Sequence, residues 1–348
     1  MKIFLGLMAG FTLMLAACST DLDVAADYEE VMVVYGLLDP KEPVQYIRVQ
    51  KAYLDQERSA LDFSDNPDSL FYPIEDLSVK LVKISNGDTI SLSPIKVARD
   101  GNGDFGLDSN IIYTTSTPLS ASENYRLVVR NLVSGKLVTA ESPIVDTIKL
   151  ERPPADESID FPINFVIPEG NNSFRPVEVR WVSAKDAKAY DVVLRFWYEQ
   201  WPLSNTSDRD TFFVDITLVQ NAYSSGTGGN EVLRELIDGK DFFAGVARGI
   251  AVDNTVGRAP LAKPLEFRFL IGGEVLYNYI NVNQGQLGIT QLQSQTKYTN
   301  INGGLGLFST RSSQERRFVT LHPATLDSLA CGSVTGNLSF SIGGTSCF

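Results

Sequence analysis

Residues 177–200 read VEVRWVSAKDAKAYDVVLRFWYEQ, and their pattern decides the fold class. Tyr190, Val192, Leu194, Phe196 and Tyr198 alternate with Asp191, Val193, Arg195, Trp197 and Glu199. Successive side chains of an extended chain point to opposite faces, so this spacing predicts a strand with one buried apolar face. On a helix the same five residues would be spread around the axis without forming a stripe. The residue types agree, since β-branched and aromatic side chains suit a pleated surface. Trp197 falls on the face opposite the apolar one. With Trp201 it places two of the three tryptophans in FWYEQWP, 196–202. Aromatics on an outward face can anchor a ligand or partner. Packing between domains is the competing use.

Outward from this stretch, strand patterns recur at short intervals. VMVVYGLLD (31–39) and YIRVQKAYL (46–54) are β-rich runs. LSVKLVKI and TISLSPIKV flank Ser85-Asn86-Gly87-Asp88, and NYRLVVRNL and KLVTAESPIV flank Ser134-Gly135. Asn-Gly between apolar runs predicts a hairpin, because the favoured two-residue turn needs φ > 0 at both central positions. ERPPADESIDFPINFVIPEGNN, 151–172, carries four prolines and several acids and reads as an interdomain connection. In NEVLRELIDGKDFFAGVARGI, 230–250, Asn230 is placed as an N-cap and Val232, Leu233, Leu236 and Ile237 stand at helical spacing, with Gly239 as the stop. LEFRFLIGGEVLYNYINV, 265–282, reads as resumed strand. The expectation is an all-β chain of two sandwich domains, 31–150 and 173–348, with one short helical insertion in the second.

The chain opens MKIFLGLMAGFTLMLAACSTDLD. Lys2 followed by the uncharged run Ile3–Ala17 matches a secretory signal and is short for a spanning helix, which needs ~20 apolar residues. Leu15-Ala16-Ala17-Cys18 resembles a bacterial lipobox, which implies cleavage after residue 17, acylation of Cys18 and a tether over 18–30. Such a protein is anchored to a membrane rather than spanning it. Removing residues 1–17 takes away Lys2 alone and leaves 29 basic against 42 acidic side chains, a net charge of -13. That balance excludes nucleic acid as a broad electrostatic partner. With Cys18 used as the anchor, Cys331 and Cys347 remain as an even pair in an oxidising compartment. Their bridge would close a loop near the C-terminus, worth roughly 3 kcal/mol, and staple a final hairpin.

Few motifs carry chemistry. DGNGDFGLD, 100–108, sets Asp100, Asn102, Asp104 and Asp108 at positions one, three, five and nine of an EF-like loop, which suits a calcium ion. Phe105 stands where that loop needs Gly and Ile111 where it needs Glu, so an acidic strand connection competes with the metal reading. His322 is the only imidazole, and neither GxSxG nor HExxH occurs. NINGGLGLF, 300s in the numbering, has the wrong glycine spacing for a nucleotide loop. No catalytic residue is assigned and no cofactor beyond calcium is implied.

Two resemblances add to this. Leu119, six residues before Tyr125, has the spacing of the tyrosine corner of fibronectin type III and immunoglobulin-like sandwiches, although Ala121 and Glu123 replace the usual Pro and Thr. Residues 177–200 resemble the B and C strands of a fibronectin type III module, with Trp181 as the core Trp and Tyr190 as the aromatic opening the next strand. Further, the lipobox, VVYGLLDPKEPVQYIRVQKAYL, NYRLVV, DGKDFFAGV and NINGGLGLF occur in an order that resembles an uncharacterised family of Bacteroidota outer-membrane lipoproteins. That resemblance implies an outer-membrane, surface-exposed location and a TonB-dependent transporter as partner, with a periplasm-facing anchor as the alternative. It implies no chemistry; the expected function is a non-enzymatic binding or accessory subunit whose ligand is a glycan or peptide. A surface adhesin or pilus-like subunit and a glycan-active enzyme are the competing functions.

Overall fold

The computed structural model describes residues 30–52, 70–98, 109–167, 173–284 and 298–343. Cys18, Cys347 and the proposed calcium ligands Asp100, Asn102, Asp104 and Asp108 lie outside them. The first half contributes β1 (Met32–Leu38), β2 (Gln45–Lys51), β3 (Leu77–Lys83), β4 (Thr89–Ser91), β5 (Ser93–Ala98), β6 (Ser109–Thr115), β7 (Tyr125–Asn131) and β8 (Leu137–Ser142). The second contributes β9 (Lys149–Arg152), β10 (Val177–Val182), β11 (Ala187–Pro202), β12 (Asp210–Tyr223), β13 (Val232–Ile237), β14 (Val256–Gly273) and β15 (Leu305–Val319). Three helices join them: α1 (Gly239–Gly249), α2 (Glu274–Gln284) and α3 (Pro323–Cys331). The fold is therefore mostly β, as the alternation predicted.

The strands form three sheets. The largest has eight strands in the order β12-β11-β14-β15-β1-β2-β6-β5; the others are β13-β10-β9 and β4-β3-β7-β8. Two apolar cores follow. Val34, Ile47, Val79, Leu127 and Val129 pack β1, β2, β3 and β7 face to face, and Val179, Trp181, Leu194, Phe196, Phe267 and Phe269 do the same for β10, β11 and β14. The boundary between the cores falls at Ile144 and Val145, except that Ile301 and Phe308 return to the first core. The large sheet is not divided. Its strands come from both sides of that boundary, and β1 pairs with β15 in parallel, Val34 opposite Gly306. Gly306 stands at φ +114°, and a Cβ there would lie 2.0 Å from the Val34 carbonyl oxygen, so only glycine permits the close approach.

Several local expectations hold. β3 and β4 pair around Gly87 at φ 79°, and β7 and β8 around Gly135 at φ 74°. The hydroxyl of Tyr125 accepts a hydrogen bond from the Ser120 N–H at 3.0 Å, the upstream backbone contact that its spacing suggested. Tyr190 does the same with the Ala184 N–H at 3.2 Å. Trp181 is fully buried between Tyr190 and Phe269.

Others are corrected. The helix expected over 230–238 is strand β13, paired with β10 from Val177–Ile237 to Val182–Val232. Apolar pairs at 232/233 and 236/237 fit either period, and the partner strand decides. Asn230 is a turn residue at φ 69°, not a cap. Gly239 starts α1 instead of ending it: Asp238 is the N-cap, its carboxylate accepting from Lys240 N–H at 2.9 Å. A Cβ on Gly239 would lie 2.2 Å from the Phe165 carbonyl oxygen, which explains a glycine at a helix start. Strand does not continue through 282, because Gly272-Gly273 end β14 and α2 follows. The expected final hairpin is absent among the described residues; Cys331 closes α3. Cys331 is disulfide-bonded. Within 151–167, residues 155–160 are exposed, as in a connection, but the segment is anchored at several points. Ile163 and Phe165 are in the core, Phe165 stacks on Phe242 at 4.4 Å, and the buried Arg316 donates to the carbonyls of Asp156 and Ile159.

Candidate functional site

Two irregularities in the large sheet meet on its outer face. Phe196 pairs with Leu265 while Tyr198 pairs with Pro260, so residues 261–264 of β14 bulge opposite Trp197 alone. In β15, Leu265 pairs with Val319 and Phe267 with Arg316, so Arg317 and Phe318 bulge opposite Glu266. Bulges re-aim side chains and break the flatness of a sheet, and they concentrate beside functional sites. Here both bulges line one cleft of about 830 Å³, through Leu261, Ala262 and Lys263 on one side and Arg317 and Phe318 on the other. Trp197 and Glu266 form its floor.

Phe318 carries the plainest sign of constraint. It sits at φ 57°, in the left-handed region, and its side chain is 55% exposed. A non-glycine residue held there costs roughly 1–3 kcal/mol, and such strain clusters at ligand sites.

The floor is a lattice of paired charges. Arg195 makes a bidentate contact with Asp215, both bonds 2.7 Å, and its guanidinium lies 3.8 Å from the Phe213 ring centroid. This hydrogen bonding holds the Asp215 carboxyl below its ordinary range and raises Arg195. Trp197 donates its indole N–H to Glu266 Oε2 at 3.2 Å. Arg268 Nε lies between two carboxylates, 3.7 Å from Glu266 and 3.5 Å from Glu315, and Arg317 Nε donates to Glu315 at 2.8 Å. Lys263, on the bulge, has no ion-pair partner among the described residues.

Of the two predicted contact residues, only Trp197 lines the cleft. Trp201 is buried beneath the Arg209 guanidinium, 4.0 Å from its centroid, and against Gly257, where a Cβ would come within 2.7 Å of the indole. β11 continues through Pro202, with Trp201 paired to Gly257, so these neighbours cover Trp201 without any break in the strand. Among the described residues no three His, Cys, Asp or Glu side chains are grouped to hold a metal. His322 is used structurally: its Nδ1 accepts from Ala324 N–H at 3.2 Å and caps α3.

Sequence reasoning missed Lys263, Glu266, Arg317 and Phe318. For the first bulge a signal existed: Pro260 and Pro264 inside an otherwise strand-like run mark broken pairing. The second has none, since RRFV contains neither Gly nor Pro to mark broken pairing. A smaller cleft of about 360 Å³, lined by Arg268 with Leu276 and Ile280 of α2, lies further along the same face.

No protein-family model matches the chain, and no curated protein matches it at a significant level.

Proposed function

We propose that the chain is a lipid-anchored, non-enzymatic binding subunit of the bacterial outer membrane, tethered through Cys18 and facing the cell surface. On this reading it works with a TonB-dependent transporter and takes a glycan or peptide ligand. The observation that carries the binding role is the convergence of two bulges on one aromatic-floored cleft, with Phe318 held outward at a strained φ of 57°. Sugar rings and apolar side chains both stack on such surfaces. The signal and lipobox support the location. The resemblance of its motif order to a Bacteroidota lipoprotein family supports the partner. The Tyr125 and Tyr190 backbone contacts support reading the two cores as immunoglobulin or fibronectin type III-like sandwiches.

The test is purification from membranes in mild detergent, with Phe318→Ala alongside the parent. An outer-membrane barrel should co-purify with the parent and be depleted with the variant. The parent recovered alone would count against the transporter partnership.

A glycan-active enzyme is the second reading, favoured by Glu266 and Glu315 sharing one cleft. Against it, Arg268 bridges both carboxylates, which gives the charges a use in holding the sheet face. Release of reducing ends from oligosaccharides, lost in Glu266→Gln, would establish it.

A further inference from the structure

The cleft described above has walls that are mostly apolar: Trp197, Leu261, Ala262 and Phe318. Its charges are matched within the protein. Arg195 is paired with Asp215, Arg268 with Glu266 and Glu315, and Arg317 with Glu315. Lys263 is the exception. It is exposed, it lines the cleft, and no described carboxylate meets it. The chain as a whole carries a net charge of -12, so an unmatched cation at the rim of an apolar cleft stands against the general field. The size, about 830 Å³, falls in the range of small-molecule pockets, which are apolar with a few placed polar groups.

We propose that this cleft binds a small amphipathic carboxylate. The apolar body lies between Trp197 and Phe318, and the carboxylate accepts a charge-assisted hydrogen bond from Lys263 Nζ. The inference rests on the reading of the cleft as a binding site and names the chemistry that the site selects. A neutral ligand of the same shape leaves Lys263 without a partner. A cationic one meets Lys263 as a like charge, while the acids of the floor are already engaged by arginines. Arginine is absent from the lone position, and a flexible lysine on a bulge can follow the head group as the apolar body settles.

Isothermal titration of the full chain with decanoate and decyltrimethylammonium, each below its micelle-forming concentration, and with decanol below its solubility limit, tests the proposal. Decanoate should bind about tenfold or more tightly than decanol, the scale of a hydrogen bond to a charged group. Lys263→Gln should bring decanoate to the affinity of decanol and leave decanol unchanged. Lys263→Arg should keep the preference, and Phe318→Ala should weaken both ligands. Equal affinity for decanoate and decanol, a preference that survives Lys263→Gln, or no binding of decanoate would each overturn the proposal. The binding reading stands apart: absence of decanoate binding, with a barrel still lost from Phe318→Ala preparations, sinks this ligand class alone. Decanoate binding with no co-purifying barrel removes the transporter partnership alone.

Discussion

Gly306→Ala tests how the two cores are joined. Gly306 lies in the parallel ladder between β15 and β1, opposite Val34. An alanine Cβ would sit 2.0 Å from the Val34 carbonyl oxygen, against a normal carbon–oxygen contact of about 3.3 Å. β1 would have to retreat by about 1.3 Å, enough to break the flanking ladder bonds. Two such bonds contribute roughly 1–3 kcal/mol, and an L-residue forced to φ +114° adds roughly 1–3 kcal/mol. We expect a loss of about 3–5 kcal/mol. Gly135→Ala is the control: φ is 74°, but no atom lies within 4 Å of the new Cβ, so only strain of about 1–2 kcal/mol applies. Urea unfolding should be followed by tryptophan fluorescence and by far-ultraviolet circular dichroism. Trp181, Trp197 and Trp201 all belong to the second half, whereas circular dichroism reports both halves. In the variant, the dichroism transition should begin at lower urea than the fluorescence transition, as the first core opens alone. The reasoning fails if Gly306→Ala loses no more stability than Gly135→Ala.

Four shorter predictions follow from other sites. Tyr113 is buried, its hydroxyl has no hydrogen-bond partner among the described residues, and burial pushes it up to about 12. Its folded form therefore holds the proton above the unfolded value of about 10, so the parent should lose stability between about pH 10 and 12; Tyr113→Phe should remove that loss and gain about 1 kcal/mol at pH 7, read from urea midpoints. Asp215 is held low by Arg195, so its contribution is present above about pH 4 and fades as pH falls through its folded value; Asp215→Asn should flatten the acid limb by about 0.5–1 kcal/mol, the pair being part-exposed. Replacing Cys331 and Cys347 by serine should cost roughly 3 kcal/mol, and a parent whose midpoint is indifferent to reductant would refute the bridge. Cys18→Ala should move the protein from the membrane to the soluble fraction, and an unchanged membrane share would refute acylation.

The parts of the fold that were legible are those encoded by neighbouring residues. The Asn86-Gly87 hairpin and the 190–198 alternation are each stated locally; Tyr190 is placed on the buried face by that alternation, and Trp181 in the core through the resemblance to a fibronectin type III module. Val232–Ile237 was misread because its apolar pairs satisfy two periods, and only β10, some 50 residues earlier in the chain, resolves them. The candidate cleft was half visible. Trp197 followed from alternation, but bulges are a property of register between two strands, and no single strand records its partner's offset. Trp201 shows the converse error: a good local argument for exposure, undone by Arg209 and Gly257 packing against it.

The parallel pairing of β1 with β15 also sets an order of events. Val34 and its partner Gly306 are separated by nearly the whole described chain. During synthesis, β1 can pair with β2 almost at once, yet its other edge stays open until the last strand of the sheet has emerged. Non-local pairing of this kind is slow, and an unpaired edge recruits other chains while it waits. The first and last strands of the large sheet thus make completion of the chain a condition for closing its middle.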